Sequence, residues 1–272
     1  MSDSKPNKGY FPCGIPFNRF GHGDRILVIF QGLLFDNKPL TGLMALIYAD
    51  MYNSLLPDYT IYLVNRKSGL PDGCTMKDLS EDYAQMIKEE FGGPVNVLGM
   101  STGGSIAQHF AADHPELVRR LVIHSSAYTL SDFSKDAQLK TARLAEQKKW
   151  RAAFAALFGV LQPEGAARYI FKPIFFLLTL LGTSLFGRPK DPSDLIKTIE
   201  AEDKHNFKDR LHEITAPVLV IAGEKDPFYT EALFRCTADG MPDAKLIICK
   251  GKGHPADGKQ FKKELRDFLF ES

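Results

Sequence analysis

The amino-acid sequence predicts a doubly wound α/β fold, in which helices cover both faces of a mostly parallel sheet. Short apolar runs alternate with segments of helical periodicity through the first half of the chain and again near its end. The runs are apolar at consecutive positions, which indicates strands that are buried on both faces. Strands of this kind that alternate with helices are typical of parallel sheets.

Six apolar runs are the predicted strands, and they form two groups along the chain. Four runs precede Ser125 and two follow Ala216; their ranges are 25–30, 60–64, 95–99, 120–124, 217–223 and 244–250. No internal repeat relates them to one another. The sheet is therefore expected to be assembled from two separate parts of the chain.

Apolar residues at helical spacing predict the helices of the core. One helix begins after Thr75, a candidate N-cap that Asp78 follows three residues later. Its apolar residues are Met76, Leu79, Tyr83 and Ile87. The next helix carries Ile106 and Phe110 and is expected to end before Pro115, because proline cannot continue a helix. The last predicted helix carries Phe261, Leu265, Phe268 and Leu269.

A long helical insertion interrupts the alternation between Ser125 and Pro217. One of its predicted helices has a single apolar face made of Trp150, Phe154, Leu157, Phe158 and Leu161. An insertion within a regular α/β chain suggests a cap over the carboxyl edge of the sheet. We therefore predict a core of residues 1–128 and 208–272 and a helical cap of residues 129–207.

The segment 173–187 is uncharged and strongly apolar. It is shorter than the roughly twenty residues that span a bilayer, and Lys172 and Arg188 flank it. We expect a buried or interfacial helix here and no stable membrane insertion.

The composition is that of a soluble globular protein, with 272 residues of which 44% are hydrophobic and 25% are charged. A formal net charge of +1 gives no electrostatic reason to expect nucleic acid as a partner. The scattered cysteines lack the spacing of a zinc site; they are Cys13, Cys74, Cys236 and Cys249. The N-terminal residues lack the pattern of a secretory signal, so we expect a cytoplasmic protein, either a monomer or a homodimer.

Residues 99–103, with the sequence GMSTG, match the pattern G-x-S-x-G. The pattern recurs by chance, so its position between a predicted strand and a predicted helix is the informative part. At such a turn, Gly99 and Gly103 relieve the crowding around Ser101 and expose its hydroxyl above the sheet. The alternative is a strand-to-helix turn in which small residues only allow close packing.

A nucleophilic serine needs a histidine base that a carboxylate orients. His254 lies in the loop after the last predicted strand, and Asp226 lies directly after the strand at 217–223, with Glu224 as the nearest alternative. The carboxyl ends of parallel strands meet at one edge of a sheet, so these residues can approach Ser101. His109, on the helix after Ser101, is expected at the helix surface instead.

These motifs resemble the α/β-hydrolase superfamily over nearly the whole chain. The resemblance rests on GMSTGG, GEKDPF and GKGHP, on residues 65–83 and on the variable helical insertion. It implies that Ser101 is the nucleophile, His254 the general acid and base, and Asp226 the orienting carboxylate. It also implies an oxyanion hole made by the backbone N–H groups of Leu33 and Thr102.

The resemblance further implies a serine hydrolase, and we expect a carboxylic ester hydrolase that forms an acyl-enzyme on a small to medium hydrophobic ester. Gln31 occupies the position where members of this family commonly have a histidine. Gln31, Phe175 and Phe176 are the candidate substrate-binding residues. The chemistry needs no metal or organic cofactor. Serine at position 101 argues against epoxide opening and halide displacement, which use aspartate there.

Three alternatives stay open. The same residues could serve amide or peptide hydrolysis, carbon–carbon bond hydrolysis or cofactor-free perhydrolysis. The fold could also belong to a non-catalytic binding protein. Finally, the apolar segment 173–187 could bring an enzyme to a lipid surface.

Overall fold

A single sheet organises the protein. The computed structural model describes residues 7–161, 179 and 187–271. Phe175, Phe176 and nearly all of the apolar segment 173–187 lie outside the described residues, so the interpretations made for them stay predictions.

Within the described residues, eight strands form the sheet in the order β1-β2-β4-β3-β5-β6-β7-β8. Strands β3 to β8 are parallel, whereas β2 pairs antiparallel with both β1 and β4. The predicted doubly wound and mostly parallel sheet is therefore confirmed. The strands are β1 (Asn7–Tyr10), β2 (Pro16–Phe20), β3 (Arg25–Phe30), β4 (Tyr59–Val64), β5 (Val95–Met100), β6 (Val118–His124), β7 (Val218–Gly223) and β8 (Ala244–Cys249).

Helices cover both faces of this sheet. In chain order the described helices are α1 (Gly42–Met51), α2 (Met76–Phe91), α3 (Thr102–Asp113), α4 (Asp132–Glu146), α5 (Trp150–Phe158), α6 (Ser193–Lys204), α7 (Glu231–Asp239) and α8 (Lys259–Phe270). Leu27 and Ile29 of β3 lie in one apolar cluster with α1 and α8, and Val28 and Phe30 lie in a second cluster with α2 and α3. Successive side chains of a strand point to opposite faces of the sheet, so β3 contributes to one apolar core on each face.

Helix α2 begins as its sequence predicts. The Thr75 hydroxyl accepts a hydrogen bond from the Asp78 backbone N–H at 3.2 Å, and the Asp78 carboxylate accepts one from the Thr75 backbone N–H at 2.8 Å. This capping box satisfies backbone groups that the helix itself leaves free. The helix ends at Gly92, whose φ of 65° favours glycine.

Helices α4, α5 and α6 lie between β6 and β7 in the chain. Of the residues that the structure describes, none belongs to a helix with both the length and the apolar character needed to cross a membrane.

Candidate active site

The sharp turn between β5 and α3 carries Ser101. Its backbone has φ 53° and ψ −126°, a strained combination for a residue with a side chain. The turn is fixed on both sides, since the Ser101 N–H donates to the His124 carbonyl at 3.0 Å and the Gly104 N–H donates to the Ser101 carbonyl at 2.7 Å. Strain that its surroundings hold in place is typical of functional sites.

The glycines around Ser101 are needed for close backbone approach. A Cβ atom on Gly99 would lie 2.5 Å from the Gly103 carbonyl oxygen. A Cβ atom on Gly103 would lie 2.0 Å from the Phe30 carbonyl oxygen at the end of β3. Both distances are shorter than any real contact of this kind, so only glycine fits at these two positions.

Ser101, His254 and Asp226 meet in the order that nucleophilic catalysis requires. The His254 Nε2 atom lies 3.1 Å from the Ser101 Oγ atom, and the His254 Nδ1 atom lies 2.7 Å from the Asp226 Oδ2 atom. An ionised carboxylate only accepts hydrogen bonds, so Nδ1 carries the proton and Nε2 is left to accept from the serine hydroxyl. The three residues come from the ends of β5, β7 and β8.

Asp226 is held by the backbone that follows it. Its Oδ1 atom accepts hydrogen bonds from the N–H groups of Phe228 at 2.9 Å and Tyr229 at 3.2 Å. The Asp226 side chain is 0% exposed and the His254 side chain is 11% exposed, so water does not compete for their contact. Glu224, the alternative carboxylate, is exposed and accepts a hydrogen bond from the Gly251 N–H instead.

A second pair of residues, His124 and Ser125, holds the loop that carries His254. The His124 Nε2 atom lies 2.7 Å from the Ala256 carbonyl oxygen, and the Ala256 N–H donates to the Ser125 Oγ atom at 2.9 Å. Burial lowers the pKa of His124 to about 4, so its imidazole is neutral near pH 7 and donates to the carbonyl from Nε2. Sequence reasoning missed this contact because it joins residues 132 positions apart.

The two residues predicted to supply the oxyanion donors, Thr102 and Leu33, lie close to Ser101. Thr102 is the first residue of α3, where backbone N–H groups have no partner inside the helix. Leu33 follows Gly32, where a Cβ atom would lie 3.2 Å from the Ser101 Cβ atom, so this loop passes directly beside the serine. Gln31 is buried, and its Nε2 atom has no hydrogen-bond partner among the described residues.

A pocket of about 170 Å³ opens beside Ser101 and His254. Most of its surface is apolar, and no Asp, Glu, Lys or Arg is among the described residues that line it. Its walls come from the loop after β3, from α1, and from α4 and α5 of the insertion. Besides Ser101 and His254, the lining residues are Gly32, Leu33, Leu34, Met44, Ile47, Tyr48, Met51, Met100, Gln138, Leu157, Phe158, Phe228 and Pro255.

A buried carboxylic acid lies close to the first turn of α3. The Ser105 hydroxyl donates to the Glu202 Oε1 atom at 2.6 Å, and Glu202 is 0% exposed. Burial raises the pKa of Glu202 to about 7, despite the opposing effects of the hydroxyls of Ser105 and Thr102 and of the charge on Lys135. Nothing in the sequence around Glu202 marks it as buried, because its partner lies on a distant helix.

His109 lies on α3, where it was expected at the helix surface, and its side chain is only partly exposed. Its ring packs against the rings of Phe207 and His205, with centroid distances of 4.7 Å and 5.5 Å. Burial lowers the pKa of His109 to about 4. The ring is covered because the chain after α6 returns across α3, which local periodicity does not reveal.

Similarity to known proteins extends over nearly the whole chain. The chain is 22% identical over 257 residues to a 2-hydroxy-6-oxononadienedioate/2-hydroxy-6-oxononatrienedioate hydrolase from Pseudomonas sp, covering 91% of this chain and 87% of that protein. It is 27% identical over 214 residues to a pimeloyl-acyl-carrier-protein methyl ester esterase from Chromobacterium violaceum, covering 75% of this chain and 80% of that protein.

A comparison of structures and a family sequence profile both lead to the same family. The crystal structure of the enol-lactonase from Burkholderia xenovorans LB400 matches with a TM-score of 0.75 at 20% identity, covering 94% of this chain and 96% of that chain. The sequence profile of the alpha/beta hydrolase family matches residues 14–260. The predicted resemblance is thereby confirmed, and the chain belongs to the alpha/beta hydrolase family.

Proposed function

We propose that the protein is a serine hydrolase that cleaves a small to medium, uncharged carboxylic ester through an acyl-enzyme. The observation that carries this proposal is the pair of hydrogen-bond distances that link Ser101 to His254 and His254 to Asp226. In this arrangement His254 would act as the base for the Ser101 hydroxyl, and the Asp226 carboxylate would stabilise His254 once it is protonated. Membership of a hydrolase family supports the same chemistry.

In the proposed acylation step, the Ser101 Oγ atom attacks the ester carbonyl while the His254 Nε2 atom removes the hydroxyl proton. His254 then gives this proton to the leaving alkoxide, and the acyl group stays on Ser101. In deacylation, His254 takes a proton from a water molecule whose oxygen attacks the acyl carbonyl, and it returns this proton to the Ser101 Oγ atom as the acid leaves. Asp226 stays ionised throughout and stabilises the imidazolium that forms in each step.

Negative charge develops on the carbonyl oxygen in the transition state, and hydrogen-bond donors that are already in place stabilise it. Thr102 directly follows Ser101 and Leu33 lines the same pocket, so their backbone N–H groups would supply these donors. One such donor is typically worth about 3 kcal/mol of transition-state stabilisation. The N-terminus of α3 adds its partial positive charge at the same point.

The pocket favours an uncharged substrate. A buried carboxylate on the substrate would need a cationic partner, and none is among the described lining residues. The name of the Pseudomonas relative gives a dioate as its substrate, and a dioate would meet this difficulty here. Carbon–carbon bond hydrolysis stays the alternative function. Ester cleavage, which the Chromobacterium relative's name gives, fits the apolar lining better.

We also propose that residues 129–207 form a cap over this pocket. Gln138 lies on α4, and Leu157 and Phe158 lie on α5; all three line the pocket together with Ser101. Residues between β6 and β7 would thus form one wall of the site. A small-molecule ester would be the partner of this site, and no nucleic acid or membrane is needed.

Triad substitutions test the proposal. Ser101→Ala and His254→Ala should each lower kcat for a chromogenic short-chain ester by at least about 10³-fold, and Asp226→Asn by a similar factor, because each removes an essential role. The control is Glu224→Gln, which changes a nearby carboxylate that does not contact His254 and should leave kcat within about twofold. Retained turnover in Ser101→Ala would overturn the proposal.

A further inference from the structure

One polar side chain in the pocket lacks a partner. Gln138 on α4 is 4% exposed, and its Oε1 atom has no hydrogen-bond partner among the described residues. The same residue lines the pocket that contains Ser101. A buried amide oxygen without a partner is unfavourable, and most such groups in proteins are paired.

Most of the residues that line the pocket with Gln138 are apolar. They include Leu34, Leu157, Phe158 and Phe228, whereas Ser101, His254 and Tyr48 are the other polar side chains among the described lining residues. A methionine or leucine would fill such a wall without leaving an unsatisfied polar atom. The amide is therefore explained if the compound that enters the pocket supplies the missing donor.

We propose that the Gln138 amide oxygen accepts a hydrogen bond from a hydroxyl group of the substrate, so that the site prefers hydroxylated esters to the corresponding unsubstituted ones. This inference rests on the proposed function, since it assigns the substrate of the same site. A hydroxyl fits the wall because it is uncharged and donates one hydrogen bond. Gln138 then rejects the unsubstituted ester, because that ester buries the amide oxygen unpaired.

The experiment compares pairs of esters that differ by one hydroxyl. Butanoate esters are compared with their 2-, 3- and 4-hydroxybutanoate counterparts, and butyl esters with hydroxybutyl esters, so that both the acyl and the alcohol side are covered. The readout is the ratio of kcat/KM for the hydroxylated ester to kcat/KM for its plain counterpart. This ratio does not depend on the fraction of folded enzyme. We expect the wild type to favour at least one hydroxylated ester by about tenfold or more.

Two variants separate the role of Gln138 from a general effect of a buried amide. Gln138→Met keeps the length of the side chain and removes the acceptor, and it should bring the ratio to about 1. Gln108→Met is the matched control, since Gln108 is also buried with an unpartnered Oε1 atom but is not among the described residues that line the pocket. Its ratio should equal that of the wild type.

The outcomes distinguish this inference from the proposed function. A wild type that cleaves the plain esters without preferring any hydroxylated one would overturn the inference and leave the proposed function standing. A preference that survives in Gln138→Met would overturn it as well. If the wild type cleaves no ester of the panel, the proposed function fails and the inference fails with it.

Discussion

At Ser101 the backbone takes a strained conformation, and three different strand ends hold the groups around it. The sequence allowed Ser101, Asp226 and His254 to be predicted as partners, because each follows an apolar strand and such strand ends converge. Their assignment as catalytic residues stays a prediction. Gln138 and His124 could not be predicted, because a pocket and a hydrogen bond bring each of them near residues that are far away in the chain.

Gly223, at the end of β7, packs closely against the backbone of the loop that carries His254. A Cβ atom on Gly223 would lie 2.2 Å from the Gly253 carbonyl oxygen, which is a backbone atom next to His254. Gly223→Ala must therefore displace the loop, and we expect kcat to fall at least about tenfold with a smaller change in KM. Steady-state kinetics on the ester substrate measure both constants.

The control for this prediction is Gly93→Ala, since a Cβ atom there would have no neighbour within 4 Å. This variant should keep the wild-type kcat. Full activity in Gly223→Ala, with the protein folded, would mean that the histidine loop tolerates displacement and that its position is not critical.

Among the elements, the buried parallel strands were the most predictable. The predicted strand at 25–30 agrees with β3 at both ends, and the other five differ from the observed strands by one or two residues. Strands β1 and β2 were missed because NKGY and PFNRF contain no continuous apolar run. Helix α1 was missed as well, because its sequence GLMALIYADM is apolar on nearly all sides and shows no helical period.

Helix α1 matters because it forms one wall of the pocket. Met44, Ile47, Tyr48 and Met51 line the pocket from this helix. Each methylene that an acyl chain buries there contributes about 0.8 kcal/mol. A butanoyl ester has two methylenes more than an acetyl ester, so we expect its kcat/KM to be about tenfold higher.

Two exposed residues of α1 provide the matched comparison. Leu43 and Ile47 are 56% and 44% exposed, but only Ile47 is among the described residues that line the pocket. Ile47→Ala should reduce the preference for butanoyl over acetyl ester, and Leu43→Ala should not. An acetyl ester cleaved as well as the butanoyl ester by the wild type would contradict an apolar binding pocket.

On the scale of the whole molecule, Glu202 joins the helical insertion to the core. It lies on α6 and accepts a hydrogen bond from Ser105 of α3. Burial raises the pKa of Glu202 to about 7 from the ordinary value of 4.5. Between pH 4.5 and pH 7 the folded state therefore binds more protons than the unfolded state. The free energy of unfolding therefore falls as the pH rises through this range, by about 3 kcal/mol in total.

Glu202→Gln should remove this pH dependence. The variant keeps an acceptor for Ser105 and carries no charge, so we expect it to be more stable than the wild type at pH 8 and similar to it at pH 5. Urea unfolding at the two pH values measures the difference. Glu200→Gln, a change of an exposed glutamate on the same helix, should show no such effect. Equal destabilisation of Glu202→Gln at both pH values would contradict the account.

The central claim is that Ser101 is the activated nucleophile of this alpha/beta hydrolase, and covalent labelling by a fluorophosphonate tests it most directly. Intact-protein mass spectrometry should find one adduct on the wild type and none on Ser101→Ala. The adduct should form at least about tenfold more slowly on Asp226→Asn, because His254 then loses the carboxylate that orients it. A wild type that forms no adduct, or an equally fast adduct on Ser101→Ala, would contradict the claim.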